Sequence, residues 1–138
     1  MSGFYETQPV DFTFQGWFYN IAVRGDFQGD PLELLKLLKG IEREFSNVKK
    51  FQYAPRVLDA DILTFGNIHI ETEELTIPHP KLASRRFVLI PLAEIFPDFI
   101  HPVSGLNIEE MLSQCKDDST VTIYASHDDT NWQLEVTN

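Results

Sequence analysis

A chain of 138 residues is long enough for one domain with a real core, and 43% hydrophobic with 12% aromatic residues is a globular composition. A formal net charge of −10 argues against a nucleic-acid partner, whose phosphates need a cationic footprint. No apolar run approaches the roughly 18 residues of a membrane span, no basic and apolar leader follows Met1, and the lone Cys115 cannot close an internal disulfide. These features set the expectation of a cytoplasmic protein without membrane contact, in a reducing compartment.

Residues 17–24 alternate, with Trp17, Tyr19, Ile21 and Val23 on one face and Phe18, Asn20, Ala22 and Arg24 on the other, which predicts a strand. Asp30-Pro31-Leu32-Glu33 is a helix start, with Asp as N-cap, Pro in the first position and Glu in the third. Leu34, Leu38, Ile41 and Phe45 then recur at helical spacing to about residue 46. A basic and aromatic loop over 47–55 leads to a predicted strand over 57–65, a Gly66-Asn67 turn and a hairpin arm at 68–70. Residues 76–86 read as a Pro-rich loop with a helical turn near Leu82. Val88 to Phe96 reads as a helix with Pro91 near its first turn. Ile108 to Cys115 reads as a short helix capped by Asn107, and Thr120 to Ala125 as a strand. A last strand is expected over Gln133 to Thr137, after turn residues 128–131. Strand–helix–strand blocks with hairpins point to an α+β architecture.

The segment with the most chemistry in it is Ala54-Pro55-Arg56-Val57-Leu58-Asp59-Ala60-Asp61-Ile62. On a strand, side chains two apart share a face and stand roughly 6.5–7 Å apart, so Asp59 and Asp61 would project together while Leu58, Ala60 and Ile62 face a core. Two adjacent carboxylates repel unless a cation lies between them or one is protonated. Carboxylates with water and phosphate oxygens are what Mg²⁺ prefers, and a guanidinium such as that of Arg56 nearby suits phosphate. Taken alone, the pattern fits a salt-bridged sheet edge as well as it fits metal–phosphate chemistry. The charge distribution adds weight to the second. Seven of the eleven Lys and Arg residues fall between Arg43 and Arg86, whereas 87–138 carries only Lys116 against nine acids. A small polyanion such as a nucleoside triphosphate would suit that island.

A second segment runs Pro78-His79-Pro80, then Arg85-Arg86-Phe87-Val88-Leu89-Ile90-Pro91-Leu92. Together, Pro-Arg-x-x-Asp-x-Asp-Ile and Pro-His-Pro-(x)4-Arg-x-Phe-Val-Leu-x-Pro-Leu resemble the 6-hydroxymethyl-7,8-dihydropterin pyrophosphokinase family of folate biosynthesis. Phe4-Tyr5-Glu6-Thr7-Gln8-Pro9, Gln15 to Asn20 and the helix from Pro31 to Glu42 fit the same family in order, and the resemblance covers about residues 2 to 112. It implies a ferredoxin-like α+β sandwich, with helices on an antiparallel sheet, in a single domain over 1–138. It also implies transfer of pyrophosphate from ATP, as co-substrate, to the hydroxymethyl oxygen of the reduced pterin, assisted by two Mg²⁺ ions. The partners implied are these small molecules, with no nucleic acid and no membrane, in a monomer or homodimer.

Residue by residue, the resemblance makes Asp59 and Asp61 the metal carboxylates. Arg56 is an arginine of the nucleotide site, and His79, Arg85 and Glu42 are ATP-binding. Asn20 hydrogen-bonds the pterin, Phe87 stacks on it, Phe18 is a nearby aromatic, and Tyr53 stands where the family usually has a loop tryptophan. On residue chemistry alone, His79 would bond a loop carbonyl, Phe87 would be core and Glu42 a surface carboxylate. Arg86 falls at a more variable position and is read as surface or auxiliary.

Two departures temper this picture. Where the family commonly has two loop arginines, this chain reads Asn47-Val48-Lys49. Lys49, counted with Arg56 among the catalytic residues, keeps the charge but not the bidentate fork, so slower turnover is expected unless Lys50 compensates. The strand, Gly-Ser-Asn turn and helix that ordinarily precede the tyrosine-x-threonine segment do not precede Phe4 here. Either this is a piece of a longer protein, or another strand, from the tail at 118–138 or from a second copy, fills that place. Both departures keep open a non-catalytic relative that binds nucleotide or pterin.

Overall fold

The computed structural model describes residues 1–7, 18–48 and 58–125, with the side chains at 18, 46–48, 124 and 125 outside that description. In chain order the elements are β1 (Phe4–Thr7), β2 (Phe18–Asn20), α1 (Pro31–Val48), β3 (Ile70–Glu71), β4 (Thr76–Ile77), a 3-10 turn (Leu82–Ser84), α2 (Arg86–Ile95), α3 (Ile108–Gln114) and β5 (Val121–Ala125). The described residues thus hold two antiparallel sheets and three helices, an α+β protein. The chain groups into two compact units, Met1–Gly25 with Lys81–Asn138, and Asp26–Pro80.

In the first unit the sheet runs β2-β1-β5, antiparallel throughout. Register pairs Tyr5 with Asn20 and Glu6 with Tyr19. Tyr5 and Thr7 are buried on one face, and on the other the Tyr19 hydroxyl reaches Glu6 Oε1 at 3.4 Å. Helix α2 packs against this sheet and against α3. Leu89 and Leu92 of α2 and Ile108 and Met111 of α3 are buried together with Leu82 and Phe99. A fully buried side chain of this kind contributes about 1.5–3 kcal/mol. Glu94 ties α2 to β1: its carboxylate accepts from the Gly3 backbone N–H at 3.1 and 3.3 Å and from the Tyr5 hydroxyl at 2.5 Å. The strand expected at 120–125 forms as β5 beside β1. The one expected at 133–137 lies outside the described residues.

The helix read from Val88 begins earlier, at Arg86. Its first N–H groups need acceptors; the Arg85 carbonyl takes the Val88 N–H at 3.1 Å, but the Arg85 side chain makes no cap. Asp117, distant in sequence, accepts from the Arg86 N–H at 3.1 Å and from the Ser119 N–H at 2.9 Å. Burial alone would raise the Asp117 carboxyl, but these N–H groups and the Arg86 charge prevail and hold it below its ordinary value. Pro91 accordingly stands in the interior of the helix rather than near its first turn, and is buried. There it removes the N–H that would have reached the Phe87 carbonyl. The Asn107 cap is present as expected, with Asn107 Oδ1 accepting from Glu110 N at 2.8 Å and Glu110 Oε1 accepting from Asn107 N at 3.2 Å.

The second unit opens with α1, capped as the sequence predicts: Asp30 Oδ1 accepts from Glu33 N at 2.8 Å. Gly29 stands at φ +152°, a conformation that residues with a side chain rarely adopt, and a Cβ there would have to displace the Glu33 carboxylate and the Phe27 ring. Phe45, expected on the buried stripe of α1, is half exposed. The strand predicted over 57–65 is not found among the described residues 58–65, which join no ladder. Their alternation survives: Asp59 and Asp61 are exposed, Ile62 is buried, and Ala60 is intermediate. Alternation decides which side chains turn inward, but a ladder also needs a neighbour's donors and acceptors, and here two of these backbone groups are engaged elsewhere. Ala60 N–H goes to Glu42, and Leu63 C=O accepts from His79 N–H. Gly66, at φ +57°, makes the expected turn, closed by Ile68 N–H to Phe65 C=O at 3.1 Å. The arm beyond it pairs forward instead: β3 joins β4, inside the segment read as a loop.

Candidate active site

The second unit assembles four of the predicted residues. Glu42 projects from α1 and places Oε1 2.8 Å from the Ala60 N–H, the peptide group between the two aspartates. Its other oxygen takes Lys39 Nζ at 3.2 Å. On either side of that anchored peptide, Asp59 and Asp61 are exposed. His79 comes from the Pro-His-Pro segment, eighteen residues beyond Asp61, and is fastened by its own N–H to Leu63 C=O at 2.8 Å. Its Nε2 stands 3.9 Å from Asp61 Oδ2, an ion pair when the imidazole is protonated, with the histidine side chain 21% and the aspartate 50% exposed. Two motifs separated in sequence therefore meet at one carboxylate.

The Glu42 contact explains how the aspartates keep their places without a ladder. Glu42→Ala is expected to lower the unfolding free energy by about 1.5–3 kcal/mol, the net value of a hydrogen bond to a charged acceptor. Glu42→Gln, which keeps an acceptor for Ala60, should lose less, because the exposed Lys39 pair contributes little. Urea denaturation of the two variants checks this, and equal losses would contradict it.

The first unit holds the other described candidates. Asn20 ends β2, and its Nδ2 donates to Thr7 Oγ1 at 3.0 Å. Phe87 lies in the first turn of α2, partly buried, with the Arg85 guanidinium 5.4 Å from its ring centroid, a cation–π distance. Arg86 is engaged through its backbone by Asp117. Lys49, Tyr53 and Arg56 lie outside the described residues, and of Phe18 only the backbone is described. Three residues that shape these surroundings escaped the sequence reading. Thr7 stands inside the tyrosine-x-threonine segment, where its pairing with Asn20 had a signal in the motif. Glu94 and Asp117 carry none, since each acts on a partner remote in sequence.

The chemistry available is thus a pair of exposed carboxylates beside a histidine in one unit, and an amide, an aromatic ring and a guanidinium in the other. Among the described residues, no three or more His, Cys, Asp or Glu side chains gather into a complete metal cage. None of the described helices is long and apolar enough to cross a membrane.

The family model described as 7,8-dihydro-6-hydroxymethylpterin-pyrophosphokinase matches residues 1–97, a stretch that includes every candidate above. A Bacillus subtilis protein named 2-amino-4-hydroxy-6-hydroxymethyldihydropteridine pyrophosphokinase is 45% identical over 95 residues, covering 69% of this chain and 57% of its own length. The Haemophilus influenzae protein of the same name is 36% identical over 122 residues, covering 88% of this chain and 76% of its own. An Arabidopsis thaliana protein named folate synthesis bifunctional protein, mitochondrial, is 47% identical over 91 residues, 66% of this chain and 16% of its own. The chain thus spans little over half of the Bacillus relative and a small part of the Arabidopsis one.

Proposed function

This chain belongs to the 7,8-dihydro-6-hydroxymethylpterin-pyrophosphokinase family, and we propose that it transfers pyrophosphate from ATP to 6-hydroxymethyl-7,8-dihydropterin. The hydroxymethyl oxygen attacks the β-phosphorus of ATP, the bond from that phosphorus to the oxygen bridging the α-phosphate breaks, and the hydroxyl proton passes to solvent. The products are AMP and the pterin pyrophosphate. Such a transfer asks for alignment and charge neutralisation rather than covalent help from the protein. The observation that carries the reading is the junction of Asp61 with His79 beside a peptide group anchored by Glu42.

Within this reading Asp59 and Asp61 hold Mg²⁺. Their fit lies in the donor chemistry: two exposed carboxylates offer hard oxygens, and an ion that keeps waters and phosphate oxygens needs no complete protein cage. When bound, Mg²⁺ neutralises the phosphate oxygens. His79, Arg85 and Arg56 contact the phosphates of ATP, and Glu42 serves the nucleotide site by fixing the aspartate segment. Asn20 hydrogen-bonds the heterocycle, with Phe87, Phe18 and Tyr53 as its aromatic surroundings. Lys49 supplies loop charge to the transferring group. The wider proposal is a single ferredoxin-like domain over 1–138, cytoplasmic, acting on small molecules as a monomer or homodimer. Lys49 and Asn47 in the place of two arginines favour one alternative, a relative that binds nucleotide or pterin without turnover.

Incubation of the protein with MgATP and the hydroxymethyl dihydropterin separates the two. Pterin-dependent release of AMP supports the enzyme. Saturable binding of both ligands with no AMP supports the alternative, and binding of neither overturns both.

A further inference from the structure

The Thr7 side chain is 1% exposed, and its hydroxyl oxygen accepts from Asn20 Nδ2 at 3.0 Å. The pairing follows from register. Thr7 stands opposite Phe18 and Tyr5 opposite Asn20, so Thr7 and Asn20 are diagonal neighbours on the same face of β1 and β2. Tyr5, on that face too, is committed to Glu94, which leaves the threonine hydroxyl to fix the amide.

We infer that Thr7 is a positioning residue for ligand recognition by Asn20, an inference that rests on the pterin role proposed for that asparagine. A carboxamide has one acceptor oxygen and two N–H donors. With one N–H given to Thr7, Asn20 retains one N–H beside its carbonyl oxygen, an adjacent donor and acceptor. The complementary ligand edge carries an acceptor next to a donor, as in the lactam or amidine edge of a fused nitrogen heterocycle. Asn20 ends its strand and is only partly buried, so without the hydroxyl its amide plane would turn freely and fixing it would fall to the ligand, a cost in rotamer entropy.

The test uses Thr7→Val, which replaces the hydroxyl with a methyl at nearly constant shape, Thr7→Ser, which restores it, and Asn20→Ala alone and with Thr7→Val. Titration with 6-hydroxymethyl-7,8-dihydropterin should show Thr7→Val weakened roughly 5- to 10-fold and Thr7→Ser within about twofold of the unaltered chain. The double variant should bind no more weakly than Asn20→Ala alone, and ATP affinity should stay constant throughout. In the ligand-free protein, the Asn20 side-chain amide protons should exchange faster with solvent in Thr7→Val than in the unaltered chain or Thr7→Ser. That readout stands even if binding is lost for another reason. Unchanged pterin affinity in Thr7→Val, independent losses that multiply in the double variant, or no rescue by Thr7→Ser would overturn the inference. Failure of the unaltered chain to bind the pterin would instead overturn the functional reading, and the inference with it.

Discussion

Alanine at Asp59 or Asp61 is expected to cut pterin-dependent AMP formation by roughly a thousandfold, about 4 kcal/mol in the barrier. Both carboxylates face solvent, while the peptide between them is fixed by Glu42 and the following Ile62 is buried. Alanine at either position leaves these two backbone anchors, the Glu42 contact and buried Ile62, in place. A loss confined to activity, with the unfolding transition unmoved, separates this from a structural effect. Asn at either position, which keeps the shape but not the charge, should be nearly as damaging, and chelation of divalent cations should reduce the unaltered chain to the same level. Turnover near the original value in either alanine variant would remove the metal assignment.

Glu94→Ala should produce the largest stability loss, about 2–4 kcal/mol by urea denaturation. The substitution strips the acceptor from the Gly3 N–H and from the buried Tyr5 hydroxyl, and an orphaned buried donor costs roughly 1–3 kcal/mol. Tyr5→Phe removes donor and contact together and should cost less. The same pair gives the protein an alkaline limit. Burial first, then the hydrogen bond to Glu94 and its negative charge, push the Tyr5 phenol from 10.0 up to about 12. The unfolded chain therefore releases this proton at lower pH than the folded one. The stabilisation is complete below pH 10.0, shrinks as pH rises from there, and is gone above about 12. Unfolding curves between these limits, compared with Tyr5→Phe, check the sign: the phenylalanine variant should lack this part of the slope.

What the sequence made legible was local or carried by motif. Asp30 and Asn107 cap the helices they were expected to cap, because the cap and the amide it binds are three residues apart. The β-branched run near the tail forms β5. Alternation around Asp59 and Asp61 correctly placed the carboxylates outward and Ile62 inward, and the two motifs that suggested a shared site do meet at Asp61 and His79. What was not legible depends on partners far along the chain. The start of α2 is set by Asp117, and the tie between α2 and β1 by Glu94. The choice of β3 to pair with β4 rather than with residues 57–65 depends on where backbone donors and acceptors find one another, which side-chain period does not encode. Thr7 and Asn20 are an intermediate case, since both lie in recognisable motifs but their contact needs the β1–β2 register.

The central claim is intact transfer of a pyrophosphoryl group to the pterin, and labelled ATP tests it most directly. With ATP carrying radioactive phosphorus at the β-position in one reaction and at the γ-position in a second, both labels should appear on the pterin product, and the AMP should carry neither. Transfer of the γ-label alone with ADP as the other product would mean a different phosphoryl-transfer reaction, and retention of both labels in ATP after prolonged incubation would mean no transfer. Either result would contradict the account.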